Sequence, residues 1–316
     1  MESLSGLTEG YLSVPIRANS GRPGGLSVVI VTYNSSPVLP GLLDSLAAGL
    51  EGIADHDVIV VDNASQDGSD ELAQAHPVGA KVIRMGRNAG YSAGINAATS
   101  TIEPTRDVLV LNPDIRLHPG SVALLLRRLS DRSVGIVVPQ ILNEDGTIAK
   151  SIRREPSIAT VWSDALLGGN RAARMGVGEM VDDPAFYKTG GNIEWATGAI
   201  LLISSEARRR IGEWDESFFL YSEEVDYLRR ARMAGLAVLY APEARAVHIG
   251  GECATNAFLT ALSTTNRIRY YRRLHGPVAS AFFRLGVIVN ETIRVPLGPQ
   301  HRTALRAALV GQSNLA

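Results

Sequence analysis

The stretch Leu26–Thr32, Leu-Ser-Val-Val-Ile-Val-Thr, is a nearly continuous β-branched run with no polar face. A strand of this kind needs cover on both sides, which is the situation of a parallel strand inside an α/β sheet. Similar short apolar runs follow at residues 58–61, Lys81–Arg84, Asp107–Leu111 and 134–138. Helical patterns separate them. Ser36-Pro37 reads as an N-cap with proline in the first turn, followed by Leu39, Leu42, Leu43, Leu46 and Leu50 at helical spacing. Residues 67–75, 92–99 and 118–129 continue the alternation. It predicts a mostly parallel, Rossmann-like α/β sheet flanked by helices.

The second half is less regular. Asp145-Gly146 suggests a hairpin, and residues 151–192 show no clear period and read as a mobile insertion. Residues 195–203 are strand-like. Residues 222–234 form a helix with acids in its first turn and Gly235 as its stop. Residues 236–240 make another strand, and 255–274 a long helix ended by Gly276-Pro277. The polar start is a flexible leader over residues 1–25, with neither the basic start nor the apolar run of a signal peptide.

Polar clusters fall where strands end, the ligand-binding edge of open α/β sheets. Thr32-Tyr33-Asn34 follows the first strand, Asp62-Asn63 the second, and Asn112-Pro113-Asp114 the fourth. Any one could be turn chemistry, but three on one edge mark a site. Asn112 and Asp114, two apart in extended backbone, offer hard oxygen ligands suited to Mg²⁺ or Mn²⁺ shared with phosphate. The chain lacks G-x-G-x-x-G and P-loop signatures. It also lacks a Ser-His-Asp constellation, which leaves Ser65, Ser222 and Cys253 without a covalent role.

Composition narrows the classes. The 316 residues carry 31 basic against 32 acidic side chains, are 45% hydrophobic and 6% aromatic, and hold one cysteine. These figures exclude an intrinsically disordered chain and a disulfide framework, and argue against a nucleic-acid partner. No apolar stretch reaches the ~20 residues of a membrane span, so the expected location is cytoplasmic. Arginine is nonetheless concentrated near the end: residues 266–306 hold eight (Arg267, Arg269, Arg272, Arg273, Arg284, Arg294, Arg302, Arg306) against Glu291 alone. Interleaved with Phe282, Phe283, Leu285, Val287, Ile288 and Val289, they fit either a peripheral contact with the inner face of the cell membrane or a homodimer interface.

The order of motifs resembles that of inverting family 2 glycosyltransferases of the GT-A fold, in the rhamnosyltransferase-like branch. The resemblance runs from Leu26 to about His275 through Val28 to Asn34, Val61 to Gly68, Arg87-Asn88-Ala89-Gly90-Tyr91, Leu111 to Asp114, Ala196-Thr197-Gly198-Ala199, Trp214 to Asp226, and His248-Ile249-Gly250-Gly251. It implies one catalytic domain over residues 26–275 (26–114 the nucleotide-sugar half, 115–275 the acceptor half) and a basic helical extension over 276–316. Thr32, Tyr33, Asn34, Asp62 and Asn63 would line the nucleotide pocket, with Arg87 and Asn88 beside the diphosphate and donor sugar. Asn112, Asp114 and His248 would hold the metal, although from spacing alone His248 reads as a core histidine. Glu224 of Glu223-Glu224-Val225-Asp226 falls on the catalytic-base position, with Glu223 the competing choice and Asp226 a supporting hydrogen-bonder. Thr197-Gly198-Ala199 would let an acceptor approach.

The activity implied is transfer of a hexosyl unit to a hydroxyl of a glycan or lipid-linked acceptor. dTDP-L-rhamnose is the first donor and a UDP-hexose the second. A sugar-phosphate nucleotidyltransferase and a non-catalytic nucleotide-sugar-binding protein are the alternatives.

Overall fold

The computed structural model describes residues 24–250 and 256–310. The leader, apart from Gly24 and Gly25, lies outside the described residues, as do Gly251, Cys253 and the last six positions.

The first half alternates as expected: β1 (Leu26–Thr32), α1 (Leu39–Gly49), β2 (His56–Asp62), α2 (Ser69–Ala75), β3 (Lys81–Arg84), α3 (Tyr91–Thr99) and β4 (Asp107–Leu111). It continues through β5 (Ile115–Leu117), α4 (Ser121–Leu129), β6 (Val134–Leu142), β7 (Ile152–Arg153), α5 (Ile158–Leu167), α6 (Gly169–Arg174), α7 (Pro184–Thr189), β8 (Gly191–Asn192), β9 (Trp195–Ala196) and β10 (Ile200–Ile203). Last come α8 (Ser205–Ile211), α9 (Glu223–Met233), β11 (Ala237–His248), α10 (Ala257–Leu274), α11 (Pro277–Arg294) and α12 (Pro299–Val310).

A nine-stranded sheet runs in the order β3-β2-β1-β4-β10-β6-β11-β5, with β8 paired to β11. β3, β2, β1 and β4 are mutually parallel, and β6 is parallel to β11. The short β10 runs antiparallel to both β4 and β6 and joins the two halves. Strand alternation divides the core in two. Val29, Val31, Ile59 and Val61 pack with α3, α8 and α9 on one face. Val28, Ile30, Val58 and Val60 pack with α1 and α4 on the other. Leu39, Leu42, Leu43 and Leu46 of α1 are all essentially fully buried, each contributing about 1.5–3 kcal/mol relative to exposure.

Several expectations change. Helix α1 starts at Leu39, with Val38 as its N-cap and Pro40 in its first turn. Ser36 and Pro37 belong to a preceding turn, closed by Val38 and Leu39 N–H groups on the Ser35 carbonyl. The strand-like residues 195–203 break into β9 and β10, because Thr197 N–H bonds to the Ser151 carbonyl and the Ala199 carbonyl accepts from Asn112. The supposed mobile insertion is ordered. A Ser157–Thr160 capping box starts α5, and the Asp183 side chain caps α7. The hairpin at Asp145-Gly146 is present as an Asn143–Thr147 turn bridging Leu142 to Ile148.

A third cluster of Val161, Tyr271, Phe283, Val287 and Ala308 binds α5, α10, α11 and α12. Its centre is Tyr271 stacked on Phe283, centroids 3.9 Å apart at 5°. The expected C-terminal helical extension is thus a packed layer.

Candidate active site

The carboxyl ends of β1 and β2 are tied into one surface. Thr32 pairs with Asp62 in register, and Asn63 N–H donates to the Thr32 carbonyl. Asn34 and Ala64 adopt left-handed backbone (φ 50° and 62°). Asn34 N–H bonds to Ser65 Oγ at 2.9 Å, and Asn34 Oδ1 accepts from Gln66 N–H at 2.8 Å. Asn34 is therefore occupied in joining two loops. Asp67 sustains the same junction. Burial would raise its pKa, but hydrogen bonds from Ser69 and Ser36 outweigh that and hold the carboxyl at about 2.

Three buried oxygens on this surface lack partners: Thr32 Oγ1, Asp62 Oδ1 and Asn63 Oδ1. A buried acceptor is costly unless something donates to it, so these atoms fit a ligand carrying N–H or O–H groups. Asp62 Oδ2 accepts from Ser65 N–H, and Asn63 Nδ2 donates to the Gly90 carbonyl. Tyr33 is half exposed, leaving a ring face free to stack. Arg87 and Asn88 stand exposed on the loop before α3, where Asn88 Oδ1 accepts from Gly90 N–H.

Asn112-Pro113-Asp114 is a turn, with Ile115 N–H on the Asn112 carbonyl. The extended-backbone argument for two side chains on one face therefore fails. Asp114 instead meets His248, whose Nε2 lies 3.1 Å from Asp114 Oδ2. That pairing comes from the antiparallel register of His248 with Ile115 at the end of the long β11. Gly250 N–H donates to the same oxygen at 3.2 Å. Burial works to raise the Asp114 pKa, but His248 and the Gly250 amide prevail and lower it. Asp114 Oδ1 remains buried without a partner. Among the described residues no three His, Cys, Asp or Glu side chains gather to hold a metal.

The base candidates begin α9. The chain reaches it through Phe219, Tyr221 and Ser222, all at positive φ (63°, 69° and 74°). Leu220 N–H bonds to the Phe218 carbonyl across Phe219, a γ-turn of the strained, positive-φ kind. Buried Asn266 of α10 holds this loop by donating from Nδ2 to the Phe218 and Leu220 carbonyls at 2.6 and 2.8 Å. Glu223 is buried, while Glu224 keeps a partly open side chain; Oε2 of each has no partner. Burial raises both pKa values, that of Glu223 well above the usual carboxylate range with help from the Glu224 charge. For Glu224 burial outweighs the amides of the helix start and the Arg153 charge, leaving the carboxyl at about 7. A Cβ on Gly198 would lie 3.3 Å from Glu224 Cβ, so the glycine is what lets the β9–β10 break pass this close to that side chain. Tyr91 donates its hydroxyl to the Gly198 carbonyl at 3.3 Å. Its pKa is raised by burial and then by the charges of Glu223, Glu224 and Asp114.

Asp226 turns away. It accepts from Arg230 of its own helix at 2.7 Å, a helix-surface ion pair, so it does not support the site. Sequence reasoning did not single out Tyr91, Arg153 or Asn266 for roles here; Tyr91 alone stood inside a quoted motif.

A polar rim where β1 and β2 end, an Asp–His pair and a carboxylate packed against a glycine break are the features of this site. The family model for glycosyl transferase family 2 matches residues 27–188. The chain belongs to glycosyl transferase family 2. It is 31% identical over 244 residues to the N-acetylglucosaminyl-diphospho-decaprenol L-rhamnosyltransferase of Mycobacterium tuberculosis, covering 71% of this chain and 75% of that protein. It is 30% identical to the low-salt glycan biosynthesis hexosyltransferase Agl10 of Haloferax volcanii, covering 71% and 66%. Among solved structures it is similar to the mannosyltransferase PcManGT of Pyrobaculum calidifontis in complex with GDP-Man and Mn²⁺. There the TM-score is 0.55 at 17% identity, covering 93% and 77%. The family 2 glycosyltransferases invert at the transferred sugar, and the fold seen here is their GT-A arrangement.

Proposed function

We propose that this family 2 glycosyltransferase moves a hexosyl unit to a hydroxyl of a lipid-linked glycan, with Glu224 as the base. L-rhamnose from dTDP-rhamnose is the favoured donor, and a UDP-hexose the second. The donor and acceptor readings are supported by the names of the M. tuberculosis and H. volcanii relatives. The observation that carries the base is the Glu224 carboxylate, whose Oε2 is buried without a partner and which is set against Gly198. Glu223 is the weaker choice because its side chain is buried, whereas that of Glu224 is partly open and lies against Gly198. Glu224 would take the proton of the acceptor hydroxyl as that oxygen bonds to the anomeric carbon. The bond from that carbon to the diphosphate oxygen breaks on the opposite face, and the centre inverts. A carboxylate with a pKa near 7 is well matched to this work.

Thr32, Tyr33, Asp62 and Asn63 would receive the nucleotide, Asn34 would shape their loop, and Arg87 and Asn88 would meet the diphosphate and sugar. Asp114 and His248, with Asn112 beside them, would hold Mg²⁺ or Mn²⁺. The orphaned Asp114 Oδ1 fits that assignment, and so few protein ligands suit an ion that takes its remaining oxygens from phosphate and water. When bound, the cation neutralises charge on the departing diphosphate. Residues 26–114 would serve the nucleotide sugar and 115–275 the acceptor.

The test is Glu224→Gln in a purified chain assayed with dTDP-rhamnose and a lipid-linked acceptor. Full activity in a normally folded variant would sink the base assignment. Donor hydrolysis by the wild-type chain would set aside a non-catalytic binder.

A further inference from the structure

Helix α11 is apolar on two faces. Phe283, Gly286 and Val287 are buried, and a Cβ on Gly286 would lie 2.8 Å from Val161 of α5. The opposite face exposes Val278, Phe282, Leu285 and Ile293 by 70, 53, 45 and 55%, and just beyond the helix Leu297 by 72%. Val278, Phe282, Leu285 and Ile293 fall at i, i+4, i+7 and i+15, a single stripe along the helix. The inner face already supplies the packing, so the outer stripe contributes nothing to this fold. An exposed apolar stripe of that length marks a partner surface.

Charge indicates which partner. Helices α10 to α12 carry eight arginines against Glu291 alone; that carboxylate is engaged with His301 at 2.8 Å, and of the arginines Arg267 and Arg273 are paired with Glu179 and Asp215. Helix α12 lies antiparallel beside α11, held by Arg284 on the Ala308 and Leu309 carbonyls and by the Glu291–His301 contact. Its exposed face bears Arg302, Arg306 and Leu309, again at i, i+4 and i+7. Arg302 and Arg306 make no ion pair among the described residues, nor does exposed Arg272. A second copy of this chain meeting the same face would set arginine against arginine, since a two-fold interface pairs a patch with itself. An anionic lipid surface satisfies both properties, accepting the stripe into its acyl boundary and the arginines at its headgroups.

We infer that the outer stripe of α11, with the arginine face of α12, seats the protein on an anionic membrane surface. This goes beyond the proposed reaction, because it would hold for a different donor or acceptor. It sharpens that proposal by giving the enzyme a place where a lipid-linked acceptor resides.

The test is co-sedimentation of the full chain with phosphatidylcholine vesicles with and without phosphatidylglycerol. Three chains are compared: wild type, Phe282→Gln/Leu285→Gln and Arg302→Gln/Arg306→Gln. Wild type should bind only the anionic vesicles, with added salt weakening the binding. The apolar pair of substitutions should weaken partition at least about tenfold, and each arginine lost about fivefold. All four positions are exposed, so the variants should keep the wild-type melting temperature. Equal binding by all three chains, or no binding by wild type, would overturn the inference. So would a wild-type dimer in sedimentation equilibrium that the Phe282/Leu285 substitutions split. Transfer to a water-soluble acceptor analogue reads the catalytic proposal separately and should be the same in all three chains. Its loss from every chain, with vesicle binding intact, would overturn the reaction and leave this surface standing.

Discussion

Glu223 and Glu224 are adjacent in the chain and differ in what surrounds them. A helix turns about 100° per residue, so adjacent side chains leave it in different directions. Here one points into the core and the other toward the glycine break. If Glu224 is the base, Glu224→Gln lowers kcat by about 10²–10⁴-fold with little change in donor KM, and wild-type kcat rises with pH through about 7. Stability should move oppositely. The folded state raises this carboxyl from 4.5 to about 7. The favourable contribution of the protonated form is therefore complete below the unfolded pKa and lost as pH rises through the folded one. Glu224→Gln should thus be more stable than wild type near pH 8, by up to roughly 3 kcal/mol, and nearly equal near pH 4. Denaturant melts at both pH values would check the sign. The motif alone singles out Glu224 as the candidate. The burial of Glu223 and the turning of Asp226 onto Arg230 were not legible, because they depend on the angle at which α9 meets the sheet.

At the scale of elements, the loop from Phe218 to Ser222 is held against the start of α3. Gly90 has φ 91°, and a Cβ there would lie 2.3 Å from the Phe219 carbonyl oxygen. That carbonyl also accepts from Tyr91 N–H at 2.7 Å. Gly90→Ala should cost at least about 2 kcal/mol in denaturant unfolding and depress activity beyond the loss of folded protein. Much at this scale could be read from residue patterns. β1 and β4 fall where their apolar runs do, since a strand covered on both faces leaves an unbroken signature. The α5–α7 region was missed for the opposite reason: α6 and α7 are each six residues, under two turns, too short to show a period. The antiparallel course of β10 was equally hidden, because direction is decided by where neighbouring strands lie and leaves no mark on four apolar residues.

For the molecule as a whole, ligand binding and folding are linked, since a ligand held only by the native state raises its stability. With Mn²⁺ and a nucleoside diphosphate each at about a hundred times its dissociation constant, the gain should be roughly 2.7 kcal/mol for each ligand. A thermal-shift series should register it as a higher Tm. Asp114→Asn should remove the part that depends on Mn²⁺ and keep the part that depends on nucleotide alone. A metal-dependent shift unchanged by Asp114→Asn would move the cation elsewhere. The site draws on distant segments in another way as well. Phe219, Tyr221 and Ser222 sit in a backbone conformation that each would leave if released, at roughly 1 kcal/mol apiece. The two carbonyls that Asn266 grips act as the latch on that spring. Helix α10 carries the latch yet supplies no group to the proposed chemistry. A chain cut before residue 257 would therefore keep every residue assigned to the proposed reaction and still let the proposed base drift out of aim.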